Sequence, residues 1–166
     1  MSLIPDRATF QNSFATLPLS TYRAGETVIA DGSRTGRLLI LKKGAVAIVK
    51  EGTEIAKVAE PGAVFGELSV LLDQPHAADV RALETSEFHV ADATSLLTQN
   101  PIAVLYIATM LAQRLNGANR ALIQLKQQLL TGEPQSVVAK TVSKMEGFLL
   151  ANCSLVYAGY PTDPYA

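Results

Sequence analysis

Tryptophan is absent from this chain of 166 residues, cysteine occurs once, histidine twice, and aromatic residues make up 6% of the whole. The single cysteine, Cys153, rules out an intrachain disulfide and points to a reducing compartment. Two histidines, His76 and His89, are too few for the multi-histidine metal site of a cupin-type β-barrel enzyme. Neither sign of charge is in excess. Fourteen Lys and Arg against 15 Asp and Glu give a net −1, which argues against a chain built to coat nucleic acid or an anionic membrane. Long apolar runs are missing too: the best candidate, 101–113, is too short to span a bilayer before Arg114 interrupts it. The N-terminal MSLIPDRATFQNSF carries Asp6 and Arg7 and no apolar stretch of the kind a secretory signal needs. A soluble, cytoplasmic protein with no membrane partner is expected. Present in quantity are hydrophobic residues, 48% of the chain against 17% charged, enough for one domain with an appendage.

The period of the sequence changes along the chain. Residues 1–22 read as a helical lead-in, with Phe10, Phe14 and Leu17 at helical spacing before Pro18. Residues 23–100 are punctuated by Gly25, Gly32, Gly36, Gly44, Gly52, Gly62 and Gly66, and between them lie short β-rich runs at 27–30, 37–41, 45–50, 54–58, 78–83 and 87–90. Short strands at such regular spacing predict a sandwich or barrel. Lys42-Lys43-Gly44 and Lys50-Glu51-Gly52-Thr53 place glycine where a hairpin needs a positive φ.

From Asn100-Pro101 the period is helical. Val104, Ala108, Leu111, Leu115, Ala118, Leu122, Leu125 and Leu129 form a seam spaced by alternating fours and threes, and Gln113, Arg114, Asn116, Asn119, Arg120, Gln124 and Lys126 lie opposite it. Such a seam docks either on the chain's own β-domain or on a second copy; a helix of 101–130 overhangs so small a domain, which favours a homodimer. Thr131-Gly132-Glu133-Pro134 stops the helix, a second amphipathic helix is predicted from Gln135 to about Ala151, and the tail CSLVYAGYPTDPYA reads as extended chain.

Residues 62–82, GAVFGELSVLLDQPHAADVRA, carry the candidate chemistry. A strand ending at Phe65-Gly66 runs into a short helix, ELSVLL, and glycine at that corner lets a ligand approach the backbone closely. The free amides of the first turn then favour an anion, and Glu67 beside them can accept from a hydroxyl. On its own, this pattern is equally that of a plain β-to-helix corner.

The whole run resembles the phosphate-binding cassette of the cyclic nucleotide-binding domain family, to which catabolite activator protein and other Crp/Fnr-like sensors belong. FGELSVLLDQPHAADV lies on that cassette without a gap, AGETVIADG and LLILKKGAVAIV resemble the family's β-roll, and the helix from Pro101 resembles its dimerising helix. The resemblance implies an α+β fold: a jelly-roll-like β-roll with flanking helices and a long C-terminal dimerisation helix. It implies a non-catalytic sensor whose ligand is a cyclic nucleotide, with Phe65, Gly66, Glu67, Leu68, Ser69, His76, Ala77 and Ala78 in the site and no metal or further cofactor. Glu67 would accept from the ribose 2′-hydroxyl, and the amides around Gly66 to Ser69 and at Ala77-Ala78 would hold the cyclic phosphate. Ala77 stands where members preferring cyclic GMP often carry a hydroxyl, which favours cyclic AMP.

One position departs from the family. Its phosphate-pairing arginine falls on His76, and loss of a charge-assisted hydrogen bond costs about 1.5–3 kcal/mol, roughly ten- to a hundredfold in affinity. Two readings of His76 stand. Either it charges on binding the phosphate, so that affinity rises as pH falls from about 8 to about 6, or it is a surface loop residue. Asp79 adds negative charge if it faces the pocket, while Arg34, Arg37 or Arg81 would compensate if they do. Two other functions compete with the sensor: a structural dimer module with a vestigial pocket, and the sensor part of a transcriptional regulator lacking its helix-turn-helix. Residues 131–166, with Lys140 and Lys144 as their basic residues, are too short and too neutral to bind DNA as a winged helix. Neither Cys153 nor Ser69 has a visible catalytic partner, so no enzyme is expected.

Overall fold

The structure, a computed structural model, describes residues 7–150. Residues 1–6 and 151–166 lie outside the described residues, and with them the extended tail and Cys153. The helix α1 spans Arg7–Phe14, and the strands are β1 (Leu19–Tyr22), β2 (Thr27–Ile29), β3 (Arg37–Lys43), β4 (Val46–Lys50), β5 (Thr53–Val58) and β6 (Val64–Phe65). After the short helix α2 (Glu67–Leu71) come β7 (Asp79–Ala82) and β8 (Ser86–Asp92), then α3 (Ala93–Gln99), α4 (Pro101–Thr131) and α5 (Gln135–Leu150). The strands form two antiparallel four-stranded sheets, ordered β1-β8-β3-β6 and β2-β7-β4-β5.

Between the sheets lies a core of Ile29, Leu39, Leu41, Val46, Ile48, Val58, Phe65, Val80 and Phe88, in which the Phe65 and Phe88 rings meet edge to face at 5.9 Å. A second core sits behind the first sheet, where Phe10 and Phe14 of α1 and Ala103, Ile107 and Met110 of α4 cover Leu38, Ile40 and Val64. This explains the unbroken apolar run of β3. Leu39 and Leu41 face the opposite sheet while Leu38 and Ile40 face the helices, so both faces are buried and no alternation survives.

The hairpin from β4 to β5 turns at Glu51 and Gly52, both with positive φ (50° and 77°), as a two-residue turn requires. Residues 19–22 belong to the helical lead-in of 1–22 on the sequence reading; in the structure they pair instead with β8, from Leu19↔His89 to Tyr22↔Ser86. Asn100 caps α4 by accepting from the Ala103 N–H at 3.0 Å, Pro101 occupies its first turn, and Gly132 ends it in a left-handed conformation. α5 folds back against α4 and β5, with Thr141 buried and Met145 on Ala118 and Ala121. No single helix among the described residues is long and apolar enough to cross a membrane.

The long helix departs from expectation. Its buried residues are Ala103, Ile107, Met110, Arg114, Gly117, Ala118 and Ala121, a stripe largely displaced from the expected seam. Of that seam, Val104, Ala108, Leu115, Leu122 and Leu129 are exposed, Leu111 and Leu125 are half-buried, and Ala118 is covered by α5 from within the chain. Arg114, expected on the solvated face, is buried.

Candidate functional site

Strand β6 is two residues long because Gly66 breaks it. There φ is +93°, and a side-chain Cβ would stand 2.6 Å from the Arg37 carbonyl oxygen, so only glycine lets the chain pass β3 and enter α2. The first turn of α2 leaves the amides of Glu67, Leu68 and Ser69 without intrahelical acceptors. After α2 the chain turns at Asp73 (φ 48°), where the Ser69 hydroxyl donates to the Gln74 carbonyl at 2.6 Å and the Gln74 N–H donates to the Ser69 carbonyl at 3.0 Å. The Ser69 side chain is therefore committed to the cassette's own turn.

This path brings Phe65, Gly66, Glu67, Leu68, Ser69, His76, Ala77 and Ala78 around one cavity, with about 580 Å³ of empty space including its open mouth. Ile29, Ile48, Val64 and Val80 supply apolar wall from the two sheets, and Gln74 and Pro75 complete the cassette side. The remaining lining residue is Arg114 of α4, which sequence reasoning placed on the opposite face. Its guanidinium donates to Glu67 Oε1 at 2.5 Å, and the two side chains are 7% and 6% exposed. A buried carboxylate without a cation is costly, so the pair explains how Glu67 tolerates its burial. The neighbours of Arg114 at helical spacing, Met110, Gly117 and Ala118, carry no signal that separates a buried arginine from an exposed one.

His76 is not the surface loop residue of the second reading. It is 7% exposed, and burial lowers its pKa below the ordinary histidine value, which favours the neutral ring at neutral pH. Its Nε2 lies 3.0 Å from Thr35 Oγ1, and its backbone pairs with the loop between β2 and β3: the His76 N–H donates to the Ser33 carbonyl and the Gly32 N–H to the His76 carbonyl.

The charges expected to modify the site belong elsewhere. Asp79 accepts from the Asp31 N–H at 2.8 Å and from Arg81 at 2.8 Å, bonds that hold its carboxyl below the usual range, and it does not line the cavity. Arg34 pairs with Asp73 at 3.0 Å on the surface. Arg114 is the cation lining this cavity. Among the described residues no three His, Cys, Asp or Glu side chains converge as a metal site would require.

Residues 19–99 match the family model described as "Cyclic nucleotide-binding domain". Among curated proteins, the cGMP-dependent protein kinase egl-4 of Caenorhabditis briggsae is 33% identical over 79 residues, 46% of this chain and 10% of the kinase. Glutaminase 2 of Bradyrhizobium diazoefficiens is 34% identical over 116 residues, 63% of this chain and 18% of that protein. An ABC transporter ATP-binding protein of Mycobacterium tuberculosis is 35% identical over 86 residues, 49% of this chain and 25% of that protein. The chain thus matches a quarter or less of the length of these relatives. Two solved structures share the fold at 20% identity. A cyclic nucleotide-binding domain from Methylobacillus flagellatus has a TM-score of 0.59 over 70% of this chain and 72% of that one. The catabolite activator protein of Thermus thermophilus has a TM-score of 0.56 over 87% and 80%.

Proposed function

We propose, from the membership of residues 19–99 in the cyclic nucleotide-binding domain family, that this chain is a non-catalytic regulatory module that holds a cyclic nucleotide between its cassette and α4. The observation that carries the reading is the cavity itself: Gly66, Glu67 and Ala77-Ala78 line one open hollow together with Arg114 of α4, with apolar walls and few polar groups. Glu67 accepts from the ribose 2′-hydroxyl, and the amides of Gly66 to Ser69 and of Ala77-Ala78 hold the cyclic phosphate. Ala77, which offers no hydroxyl to a guanine edge, favours cyclic AMP over cyclic GMP. The relatives support a binding role, because the segment they share with this chain sits in proteins named as a kinase, a glutaminase and a transporter component. A segment shared by proteins of such different names fits a common binding role better than a common reaction.

Occupancy is read through Arg114. A ligand hydroxyl on Glu67 shares the carboxylate with that guanidinium, so the nucleotide binds one position of α4 more tightly than another and biases the helix by that difference. The exposed row Val104, Ala108, Leu115, Leu122 and Leu129 then offers a homodimer contact that moves with the helix. A vestigial site in a structural dimer module is the second reading, favoured by one observation: the two titratable side chains of the cassette that line the cavity, Glu67 and His76, already have partners within the chain.

Thermal unfolding with cyclic AMP, cyclic GMP or a cyclic dinucleotide separates the two. A bound nucleotide stabilises the native state by about 2.7 kcal/mol at a hundred times its Kd, which raises Tm by several degrees. The expected order is cyclic AMP above cyclic GMP. A melting curve unmoved by millimolar amounts of all three leaves the structural module.

A further inference from the structure

The loop between β2 and β3 is clamped to the cassette at four points. The Gly32 N–H donates to the His76 carbonyl at 2.8 Å, the His76 N–H donates to the Ser33 carbonyl at 2.9 Å, Arg34 pairs with Asp73 at 3.0 Å, and Thr35 Oγ1 meets His76 Nε2 at 3.0 Å. Inside that clamp the Arg37 N–H donates to Thr35 Oγ1 at 3.3 Å. A hydroxyl has one proton to give. Oγ1 has two acceptor sites beside that proton; Arg37 uses one of them, and His76 Nε2 is the protein acceptor in contact with the proton, so a bond in which Thr35 donates to Nε2 satisfies both. A neutral imidazole that accepts at Nε2 carries its proton on Nδ1, the nitrogen left for other contacts by a ring that lines the cavity. The other charged groups lining the cavity, Glu67 and Arg114, are paired with each other, and burial favours the neutral ring.

We propose that Thr35 is a positioning residue: it holds His76 in the Nδ1–H tautomer, so that the ring offers a neutral donor to an acceptor oxygen of the bound nucleotide where the rest of the family offers a guanidinium. The ligand half of this inference rests on the nucleotide reading above; the tautomer half is testable without any ligand.

Long-range proton–nitrogen correlation on the full chain labelled at histidine nitrogen, near neutral pH, reads the tautomer, with the signal identified by its loss in His76→Gln. The expected spectrum shows a protonated Nδ1 and an unprotonated Nε2. Thr35→Val is expected to shift the ring toward the Nε2–H form and to weaken cyclic AMP about two- to tenfold, whereas Thr35→Ser keeps both the tautomer and the affinity. An Nε2–H or doubly protonated ring in the unmodified chain overturns the proposal, as does a tautomer unmoved in a Thr35→Val chain that melts normally. Failure of the unmodified chain to bind either cyclic AMP or cyclic GMP overturns the nucleotide reading and the ligand half with it, while the nitrogen spectrum still decides what Thr35 does to the ring.

Discussion

Two stripes run along α4, and their fates differ. The inner one, Ala103, Ile107, Met110, Arg114, Gly117 and Ala121, is buried by the chain itself. The outer one stands in solvent, with Val104 40% exposed, Leu115 60%, Leu122 54% and Leu129 64%. Both follow the same alternation of fours and threes, so period does not choose between them. Size and charge do. Small residues at Ala103, Gly117 and Ala121 let α4 approach its neighbours closely, and the one long side chain among the charged types, Arg114, falls where a buried carboxylate needs a cation. Large aliphatic side chains on the outer stripe would hold α4 away from its own domain and suit a second surface instead. In this protein the more hydrophobic face is not the one that docks.

Breaking the inner stripe at its charged residue has the largest expected effect. Arg114→Ala leaves Glu67 buried with its cation removed and should cost about 3–5 kcal/mol in denaturant unfolding. Replacing both partners, Glu67→Gln with Arg114→Met, should recover much of that loss, because no uncompensated charge remains. If Arg114→Ala unfolds at the wild-type midpoint, the pair is not what secures α4 to the cassette.

The next test sets the stripes against each other directly. Ile107→Ala opens a hole in the core behind the first sheet and should cost about 2–5 kcal/mol. Leu115→Ala, measured where the chain is monomeric, should stay within about 0.5 kcal/mol. Sedimentation adds the complementary reading: Leu115→Lys should shift a self-associating chain toward monomer, whereas Ile107→Ala should not do so while it remains folded. Equal losses of stability from Ile107→Ala and Leu115→Ala in a monomer would erase the distinction.

Much of the β-roll and its cassette was legible in the sequence, for local reasons. Gly52 required a positive φ at a hairpin, Pro101 after Asn100 marked a helix start, and Phe65-Gly66-Glu67 marked a strand that must stop and turn. Short polar strands were not: Leu19–Tyr22 carries Ser20 and Thr21 and is a strand through its pairing with β8. The site was legible as a set of neighbours along the cassette, and illegible wherever a distant segment closes it. Arg114 reaches Glu67 across 47 residues and Thr35 reaches His76 across 41. No periodicity encodes such separations, and on α4 two faces offset by one residue satisfy the same pattern.

The smallest expected effect concerns His76, across the cavity from the helix. Its burial lowers the folded pKa below the ordinary histidine value of about 6.5, so the native ring resists a proton that the unfolded chain accepts. The contribution to stability is therefore full above about pH 6.5, declines as pH falls through that value, and levels off once the pH is below the folded pKa. Denaturant melts of the wild type and His76→Gln from about pH 8 to about pH 5 isolate the effect, since His89 and every carboxylate are shared and cancel in the difference. The advantage of the wild type over the variant should shrink toward acid. An advantage that grows toward acid would mean that the folded ring welcomes its charge, and the cassette would then carry a cation of its own beside the one α4 supplies.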